Sequence, residues 1–245
     1  MDWWLKQFFL YCERGSDPTF WAEPFNAISN GAFLIAAASS VPALASVRAS
    51  RPVVPETLLV LLCAIIGIGS FCFHTFATRW AFMFDTGSIM IMSVAYLIYA
   101  VRRFLGARWK GTVAAIAALM LGFALVRYIP CPVGLLPITA AAGHPCLNGS
   151  LGYLPVIAAM GIIGGLLAVR RHPAGRLLLG AALVFGGSLA VRSVDTEVCA
   201  LTVLWGRARG THALWHVLNA VAIYLLLRAA ILYGGSRGPG TAQTE

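Results

Sequence analysis

Two histidines lie four residues apart in the segment THALWHVLNA, which runs from Thr211 to Ala220. In an α-helix, residues at positions i and i+4 project from one face about one turn apart. If this segment is helical, His212 and His216 can direct both imidazole rings at a single point. That arrangement is typical of two ligands to one metal ion, and a complete site needs further ligands from elsewhere in the chain.

Further polar side chains occur in two apolar segments of the first half of the chain. GIGSFCFHTFATRW contains Ser70 and His74, again four residues apart, and AFMFDTGSIM contains Asp85. Ionisable residues within membrane spans are costly and are functional candidates by default. If successive spans alternate in direction, the end of the second and the starts of the third and seventh share one side of the membrane. We therefore expect one set of side chains to meet at shallow depth: Ser70, His74, Asp85, His212 and His216.

The chemistry that this set supports is metal-assisted hydrolysis. Three neutral imidazoles with an open fourth position suit a catalytic Zn²⁺, which lowers the pKa of its bound water towards about 7. Asp85 is then the predicted general base, because it can take a proton from the zinc-bound water and return it to the leaving group. Ser70 can donate a hydrogen bond to that water or to the oxyanion formed on attack. Within a bilayer, the carbonyl substrate of such a site would be a lipid.

Each of these residues has a simpler explanation when it is taken alone. A histidine at a helix end is more often an interfacial or hydrogen-bonded residue than a metal ligand. Asp85 alone could be a charge favoured by the dipole at a helix N-terminus. Ser70 alone could be a small packing residue beside Gly67 and Gly69. The shared depth and the repeated i, i+4 spacing favour the metal site. Residues with unrelated structural roles would have no reason to share both features.

The elements that must position these residues are membrane helices. The 245-residue chain is 59% hydrophobic and 11% charged, with a mean hydropathy of +0.80, whereas about a quarter of a soluble domain is charged. Crossing about 30 Å of hydrocarbon takes roughly 20 mostly apolar residues. Seven windows meet that need, at residues 26–46, 57–76, 80–101, 111–129, 151–170, 175–194 and 211–233. The sequence thus predicts an all-α, polytopic membrane protein with a seven-transmembrane-helix bundle.

The predicted helices fill the chain and leave no room for a second domain. We expect one domain over residues 1–245, with an N-terminal interfacial segment at 1–25 and a flexible tail at 234–245. Tyr11, together with Trp3 and Trp4, suits the headgroup zone of the membrane. Arg192 and Asp195, three residues apart, are expected to pair with each other near the membrane edge.

Basic residues concentrate in one set of predicted loops. The loops after the first, third and fifth helices and the C-terminal end hold eleven arginines and lysines against two acids. By the positive-inside rule, this side faces the cytoplasm. The N-terminus is then outside or in a lumen, the C-terminus is cytoplasmic, and the candidate site lies near the non-cytoplasmic face. The net charge of +9 is therefore a topology signal, and no nucleic-acid partner is expected.

Cysteine usage is compatible with this orientation. Four of the six cysteines fall on the outer side, where disulfides can persist: Cys12, Cys131, Cys146 and Cys199. Cys131 and Cys146 bracket the longest outer loop and could bridge it. The spacing alone leaves the connectivity open.

Several of these motifs together resemble the alkaline ceramidase family, within the heptahelical hydrolase superfamily that also includes the adiponectin receptors. They are SFCFH, the aspartate eleven residues later, HALWH in the last helix, AEPFNAISN at the first helix and VRSVDTEVC at the end of the sixth. The resemblance implies a zinc amidase that cleaves the N-acyl bond of ceramide to give a fatty acid and a sphingoid base. It implies His74, His212 and His216 as zinc ligands, Asp85 as general base and Ser70 as a support for the water or oxyanion.

The resemblance also implies a calcium site in the N-terminal segment. The segment YCERGSDPTFWAEP retains Glu13 and Glu23, with Asp17 a further oxygen ligand, but Leu10 and Tyr11 replace the family's Asp-Trp pair. Calcium takes about six to eight oxygens. In the alternative, these acids cap helices or pair with Arg14. The resemblance further implies a disulfide between Cys12 and Cys199.

Three classes of function compete for this chain. A lipid amide hydrolase needs a metal, a base and an opening for acyl chains, and it explains the most residues. A seven-helix receptor, or another lipid hydrolase of the superfamily without ceramidase activity, is the alternative. A transporter would place ionisable groups near mid-membrane or in broken helices. Ceramide itself follows from the resemblance alone, so phytoceramide, dihydroceramide or another N-acyl lipid stays open as substrate.

Overall fold

The computed structural model describes residues 2–130 and 146–235. Within them the chain forms seven helices that are long and apolar enough to cross a membrane. We number these spans α1 to α7: Pro24–Arg48, Val54–Phe76, Arg79–Phe104, Trp109–Tyr128, Cys146–Val169, Ala174–Ser193 and His212–Tyr233. The predicted all-α seven-helix bundle is confirmed, and each predicted window overlaps the corresponding helix. The orientation of the two termini across the membrane stays a prediction.

Several spans change helix type near an end. α1 is divided at Asn30 into Pro24–Ser29 and Gly31–Arg48, and α3 finishes in a π-helical turn at Ala100–Phe104. α4 closes with a 3₁₀ turn at Val126–Tyr128, and α5 opens with an irregular segment, Cys146–Tyr153, in which 3₁₀ turns are interrupted by a kink at 147–149. Shorter elements lie outside the spans: 3₁₀ turns at Trp3–Leu5 and Cys199–Leu201, and an antiparallel pair of strands, β1 Val203–Leu204 and β2 Arg207–Ala208.

The core of the bundle is built around α7. This span is the most buried and packs against α6, α1 and α2, whereas α4 lies at the edge between α3 and α5. Large apolar side chains on the outside remain exposed, among them Ile35, Ile91, Leu121 and Leu183. An apolar exterior of this kind is what a helix bundle surrounded by lipid requires.

A two-residue turn joins α2 to α3 and sets the geometry of one end of the bundle. α2 ends at Phe76, Ala77 adopts a left-handed conformation with φ 51°, and α3 begins at Arg79. The last turn of α2 therefore lies beside the first turns of α3. We call this end, where α2 finishes and α3 and α7 begin, the histidine end.

The N-terminal segment lies across the histidine end. The Phe8 N–H donates to the Ala77 carbonyl at 3.0 Å, and the Arg79 N–H donates to the Lys6 carbonyl at 3.2 Å. A disulfide then ties Cys12 to Cys199, as the family resemblance implies. Cys63 and Cys72 are free thiols. A bridge from Cys131 to Cys146 involves a residue outside the described ranges.

Asp195 holds the N-terminal segment against the bundle. The prediction that it forms an ion pair with Arg192 is wrong. Its Oδ1 accepts hydrogen bonds from the Thr211 and His212 N–H groups, at 2.7 and 2.8 Å, and its Oδ2 accepts from the Cys12 N–H at 3.0 Å. Burial raises the pKa of Asp195, while these backbone donors and the Arg192 charge oppose the rise. The carboxylate therefore acts as a non-local cap for α7 rather than as the partner of a guanidinium.

Candidate metal centre

Three histidine side chains meet inside the histidine end. His74, His212 and His216 each offer a ring nitrogen, and the three nitrogens lie within 4.8 Å of one another. Ring centroids are 5.1 Å apart for His74 and His212, 4.7 Å for His74 and His216, and 4.6 Å for His212 and His216. All three rings are buried. In the described parts of the chain, no other group of three or more His, Cys, Asp or Glu residues gathers in this way.

Local structure explains why these rings converge. His74 occupies the last turn of α2, and His212 and His216 occupy the first two turns of α7 at i and i+4. Asp195 holds the N-terminus of α7 through the His212 N–H. Since α2 and α7 pack against each other and meet in opposite directions, the end of one faces the start of the other.

Two of the rings have hydrogen-bond partners that fix their orientation. His74 Nδ1 lies 2.6 Å from Glu23 Oε2, and His216 Nδ1 lies 2.7 Å from Ser29 Oγ. The Ser29 hydroxyl donates its only proton to the Asn26 carbonyl at 2.9 Å, so it accepts from His216 Nδ1. His216 Nε2 is then the nitrogen with a free lone pair. Such outer partners commonly set the tautomer of metal-binding histidines.

Glu23 is placed to do the same for His74. Burial by itself would raise the pKa of Glu23, but His74, Asn26 and Arg14 lower it below its usual value. An ionised Glu23 favours a proton on His74 Nδ1 and leaves the Nε2 lone pair free. Glu23 was predicted as a possible calcium ligand, and in the structure its carboxylate contacts this histidine.

The unpaired atoms of the site fit a metal ion. His74 Nε2 and His212 Nδ1 are both buried without a hydrogen-bond partner. A buried polar atom left unpaired is costly, and a bound cation would satisfy several at once. Three imidazoles with no thiolate and a free fourth position match the ligand set of catalytic zinc. The identity of the metal stays a prediction.

Asp85 and Ser70 lie beside the histidines at the interface of α2 and α3. Both are buried, and Asp85 Oδ1 has no hydrogen-bond partner. Asp85 interacts electrostatically with His74, and Ser70 is close enough to influence its carboxylate. Gly69 allows the close approach, because a Cβ there would lie 3.2 Å from the Phe84 carbonyl oxygen and 3.4 Å from Asp85 Cα. The predicted base and hydroxyl are thus brought to the histidines, while their roles stay predictions.

Tyr11 belongs to the site, and its expected place in the headgroup zone is wrong. It is buried, and its ring stacks on His212 with centroids 3.7 Å apart. Burial is the main reason that the pKa of Tyr11 is raised, and the nearby Asp85 and Tyr153 raise it further. The positive charge of Arg192 opposes this rise but does not cancel it, so the phenol keeps its proton. Trp3 and Trp4 are exposed, and their place in the headgroup zone stays a prediction.

Arg192 faces the same region from α6. Its guanidinium carbon lies 5.1 Å from the Trp215 ring centroid, 5.4 Å from that of Tyr153 and 5.7 Å from that of Tyr11. Its Nη1 donates to the Tyr11 hydroxyl at 3.4 Å. Cation–π contacts of this kind stabilise a buried guanidinium more strongly than an exposed one. Arg192 therefore adds positive charge near Asp85.

The three acids predicted to bind calcium do not gather in one place. Glu13 pairs with Arg209 at 2.9 Å, Glu23 with Arg14 at 2.5 Å and Asp17 with Arg207 at 3.1 Å. Glu13 also accepts from the N–H groups of Phe25 and Asn26, at 3.0 and 2.8 Å, at the start of α1. Of the alternative that these acids cap helices or pair with Arg14, the structure shows the helix cap at Glu13 and the Arg14 pair at Glu23. Glu13 and Asp17 pair with other arginines. Whether calcium binds in this segment stays a prediction.

An apolar cavity extends from this region into the bundle. A space of about 430 Å³ is bordered by Tyr11 and Arg192, and a narrower one of about 70 Å³ lies among α2 to α7. Ile89, Tyr153 and Val156 line both spaces. The two spaces are therefore neighbours, and Tyr11, which stacks on His212, connects their outer border to the histidines.

The sequence predicted that the three histidines gather but did not predict the residues that support them. Ser29 and Glu23 carry no local pattern that assigns them to particular histidines, because the contacts join residues far apart in the chain. Tyr11 lies in an aromatic N-terminal segment and resembles an interfacial residue in composition. Its neighbour Cys12, bonded to Cys199, was the one signal that the segment folds inward.

Comparison with known families agrees with this geometry. Residues 11–234, which include all seven spans, match a family model described as Ceramidase. No curated protein matches the chain.

Proposed function

The chain belongs to the ceramidase family, and from that premise we propose that it is a zinc-dependent amidase acting within the membrane. Its substrate is ceramide or a related N-acyl lipid. Hydrolysis of the N-acyl bond yields a free fatty acid and a sphingoid base or amine. The observation that carries the proposal is the buried trio of histidine nitrogens, within 4.8 Å of one another and beside Asp85.

The histidines are the proposed zinc ligands. His74 and His216 present their rings through partners at Nδ1, and His212 contributes a ring nitrogen from one turn before His216 on α7. A bound Zn²⁺ would supply a Lewis acid that activates water and polarises the amide carbonyl. The protein's part is to hold three neutral rings in a dry site with a position left open.

Asp85 is the proposed general base. Its Oδ1 has no hydrogen-bond partner in the described structure, so it is free to accept a proton from the attacking water. The water oxygen bonds to the carbonyl carbon, and the C–N bond then breaks. Asp85 returns the proton to the departing nitrogen, which balances the reaction as fatty acid plus amine.

Ser70 and Gly69 support this step. Ser70 carries a hydroxyl beside Asp85 that can donate to the water or to the developing oxyanion. Gly69 allows the α3 backbone to approach α2 closely beside these two side chains. A donor fixed by packing in this way needs no rearrangement when charge develops.

The cavity supports a lipid as substrate. Its deeper part is lined by apolar side chains such as Met92, Leu119, Met160 and Phe185. An acyl chain would be stabilised there by about 0.8 kcal/mol for each buried methylene. The amide would then lie towards Tyr11 and the histidines, near the face that the charge pattern assigns to the non-cytoplasmic side.

The test is to purify the protein in detergent, measure bound metals and assay fatty-acid release from a panel of N-acyl lipids. We expect about one zinc per chain and release from ceramide or a close relative. His74→Ala should lose both zinc and hydrolysis. If His74→Ala keeps full hydrolysis, the proposal is wrong. If the protein binds ceramide without hydrolysing it, and His74→Ala binds it equally well, the receptor alternative is favoured.

A further inference from the structure

The guanidinium of Arg14 lies in a cage of five oxygen atoms. Its Nε donates to Glu23 Oε1 at 2.5 Å, and its Nη1 donates to the carbonyls of Asp17 and Thr19 at 3.2 and 3.0 Å. Its Nη2 donates to the carbonyls of His74 and Thr75 at 2.8 and 3.2 Å. A guanidinium has five N–H donors. Every one of them therefore has an acceptor, and the side chain is fully buried.

Two of these oxygens belong to the end of α2. The carbonyls of His74 and Thr75 are in the last turn of the helix, where backbone oxygens have no partner within the helix. A cation at this position also interacts favourably with the negative end of the helix dipole. Arg14 thus caps the helix that carries a proposed metal ligand, and it does so at the ligand's own carbonyl.

Glu23 connects Arg14 to the ring of the same histidine. One carboxylate oxygen, Oε1, accepts from Arg14, and the other, Oε2, lies 2.6 Å from His74 Nδ1. Asn26 donates to Oε2 as well, at 2.9 Å. Arg14 therefore holds both the backbone of His74 and the carboxylate that orients its ring.

An oxygen cage of carboxylate and carbonyl groups is also what a calcium ion selects. The family resemblance implies calcium in this segment, but here the cage encloses a side chain that carries its own positive charge. The remaining acids of the segment pair with other arginines, Glu13 with Arg209 and Asp17 with Arg207. No carboxylate among the three is left without a cation.

We propose that Arg14 is a built-in cation that takes the place of calcium, positions His74 through Glu23, and frees the metal centre from any need for calcium. A bound ion stabilises a protein by an amount that grows with the logarithm of the free ion concentration and vanishes when the ion is absent. An arginine is present whenever the chain is folded. The proposal rests on the histidine site, but calcium and zinc binding can be measured without any substrate.

The first test uses the wild-type protein. Its thermal midpoint is measured in detergent at fixed free Zn²⁺, with millimolar Ca²⁺ or with a calcium-selective chelator. Tb³⁺ serves as a luminescent probe for calcium sites. We expect no shift of the midpoint and no Tb³⁺ signal that Ca²⁺ displaces. A calcium-dependent rise of the midpoint would overturn the proposal, even if the protein proves to be an amidase.

The second test measures zinc affinity in Arg14 variants by competition with a chromogenic chelator. Arg14→Ala should bind zinc about 10- to 100-fold more weakly, the usual cost of losing an outer-shell partner. Arg14→Lys keeps the charge and should recover part of that loss. Arg207→Ala, which removes an exposed arginine paired with Asp17, is the control and should bind zinc as the wild type does.

The outcomes separate this proposal from the enzymatic one. Wild-type zinc affinity in Arg14→Ala would contradict the positioning role and leave the amidase proposal intact. If Arg14→Ala does not fold, the comparison of Arg14→Lys with wild type and the calcium response of the wild type still decide. A wild-type protein without zinc would instead count against the metal centre itself.

Discussion

At the scale of single residues, the site is a set of ligands with dedicated partners. His74 is held by Glu23 and His216 by Ser29, and the Ser29 hydroxyl can only accept at His216 because it donates to Asn26. For His74 and His216, these partners fix which ring nitrogen carries the free lone pair. Preorganised tautomers reduce the rearrangement needed when a cation binds.

The clearest prediction at this scale concerns Asp85→Asn. The amide cannot accept a proton from water, so turnover should fall by about 10²-fold or more. Zinc content should stay at the wild-type level, because Asp85 is not among the three gathered ligands. Metal content and fatty-acid release are measured on the same preparation. Ser40→Ala, which removes a buried hydroxyl bonded within α1, is the control. Full activity in Asp85→Asn would exclude it as the base.

A second residue-scale prediction concerns Glu23→Gln. Glutamine keeps the shape but loses the charge that favours a proton on His74 Nδ1. We expect zinc affinity to fall by about 10- to 100-fold. Glu197→Gln is the matched control, because Glu197 accepts from Asn148 and Thr196 and does not contact a histidine in the described structure. Equal zinc affinities in the two variants would show that Glu23 does not support the centre.

The sequence predicted the ligands but not these partners, for a physical reason. The i, i+4 spacing of His212 and His216 is a property of one helix and is visible in a short stretch. The contact of Glu23 with His74 joins residues 51 positions apart and depends on how the N-terminal segment folds over α2. Composition placed Tyr11 at the membrane surface, whereas its stacking on His212 depends on the same fold.

At the scale of elements, the junction before α7 determines where His212 and His216 lie. Gly210 has φ +66°, and a Cβ there would meet Asp195 Oδ1 and Cys12 Cβ. Asp195 in turn accepts from the Thr211 and His212 N–H groups. The start of α7 is therefore fixed by a carboxylate that follows the end of α6 and by a glycine that leaves room for it.

Gly210→Ala tests this junction. The alanine would adopt an unfavourable left-handed conformation, at about 1–3 kcal/mol, and would also collide with Asp195. Gly206→Ala is the matched control, because Gly206 has φ +73° but no atom lies within 4 Å of the place that a Cβ would take. Thermal midpoints and zinc affinities of the two variants are compared. We expect the greater loss of both in Gly210→Ala, and equal losses would contradict the role of the junction.

The sequence predicted that each membrane helix exists but did not predict the irregularities within the helices. Hydropathy located all seven spans, because about 20 apolar residues are needed to cross the bilayer. It could not show the division of α1 at Asn30 or the π-helical end of α3. Such irregularities depend on packing against neighbouring helices, which an average over apolar residues does not record.

At the scale of the whole molecule, one end of the bundle carries the chemistry and the other carries the positive charge. The histidine end gathers the ligands, the N-terminal segment and the disulfide, whereas the loops after α1, α3 and α5 are rich in arginine. The positive-inside rule predicts that the arginine-rich loops are cytoplasmic. The proposed amidase would then release its products at the non-cytoplasmic leaflet.

This topology can be tested with single cysteines at two exposed positions. Trp205→Cys lies in the β1–β2 hairpin at the histidine end, and Ser50→Cys lies between α1 and α2. In sealed vesicles with the outer face exposed, a membrane-impermeant maleimide should label Trp205→Cys. It should label Ser50→Cys only after permeabilisation. The reverse pattern would contradict the predicted orientation while leaving the fold unaffected.

The proposed chemistry depends most on a zinc ion held by three imidazoles. X-ray absorption at the zinc edge, measured on the purified protein, tests this most directly. We predict a four-coordinate ion with nitrogen scatterers at about 2.0–2.1 Å, the multiple-scattering signature of three imidazoles and one further oxygen. Bound zinc with sulfur scatterers at about 2.3 Å, or a metal-free protein with full hydrolytic activity, would contradict it.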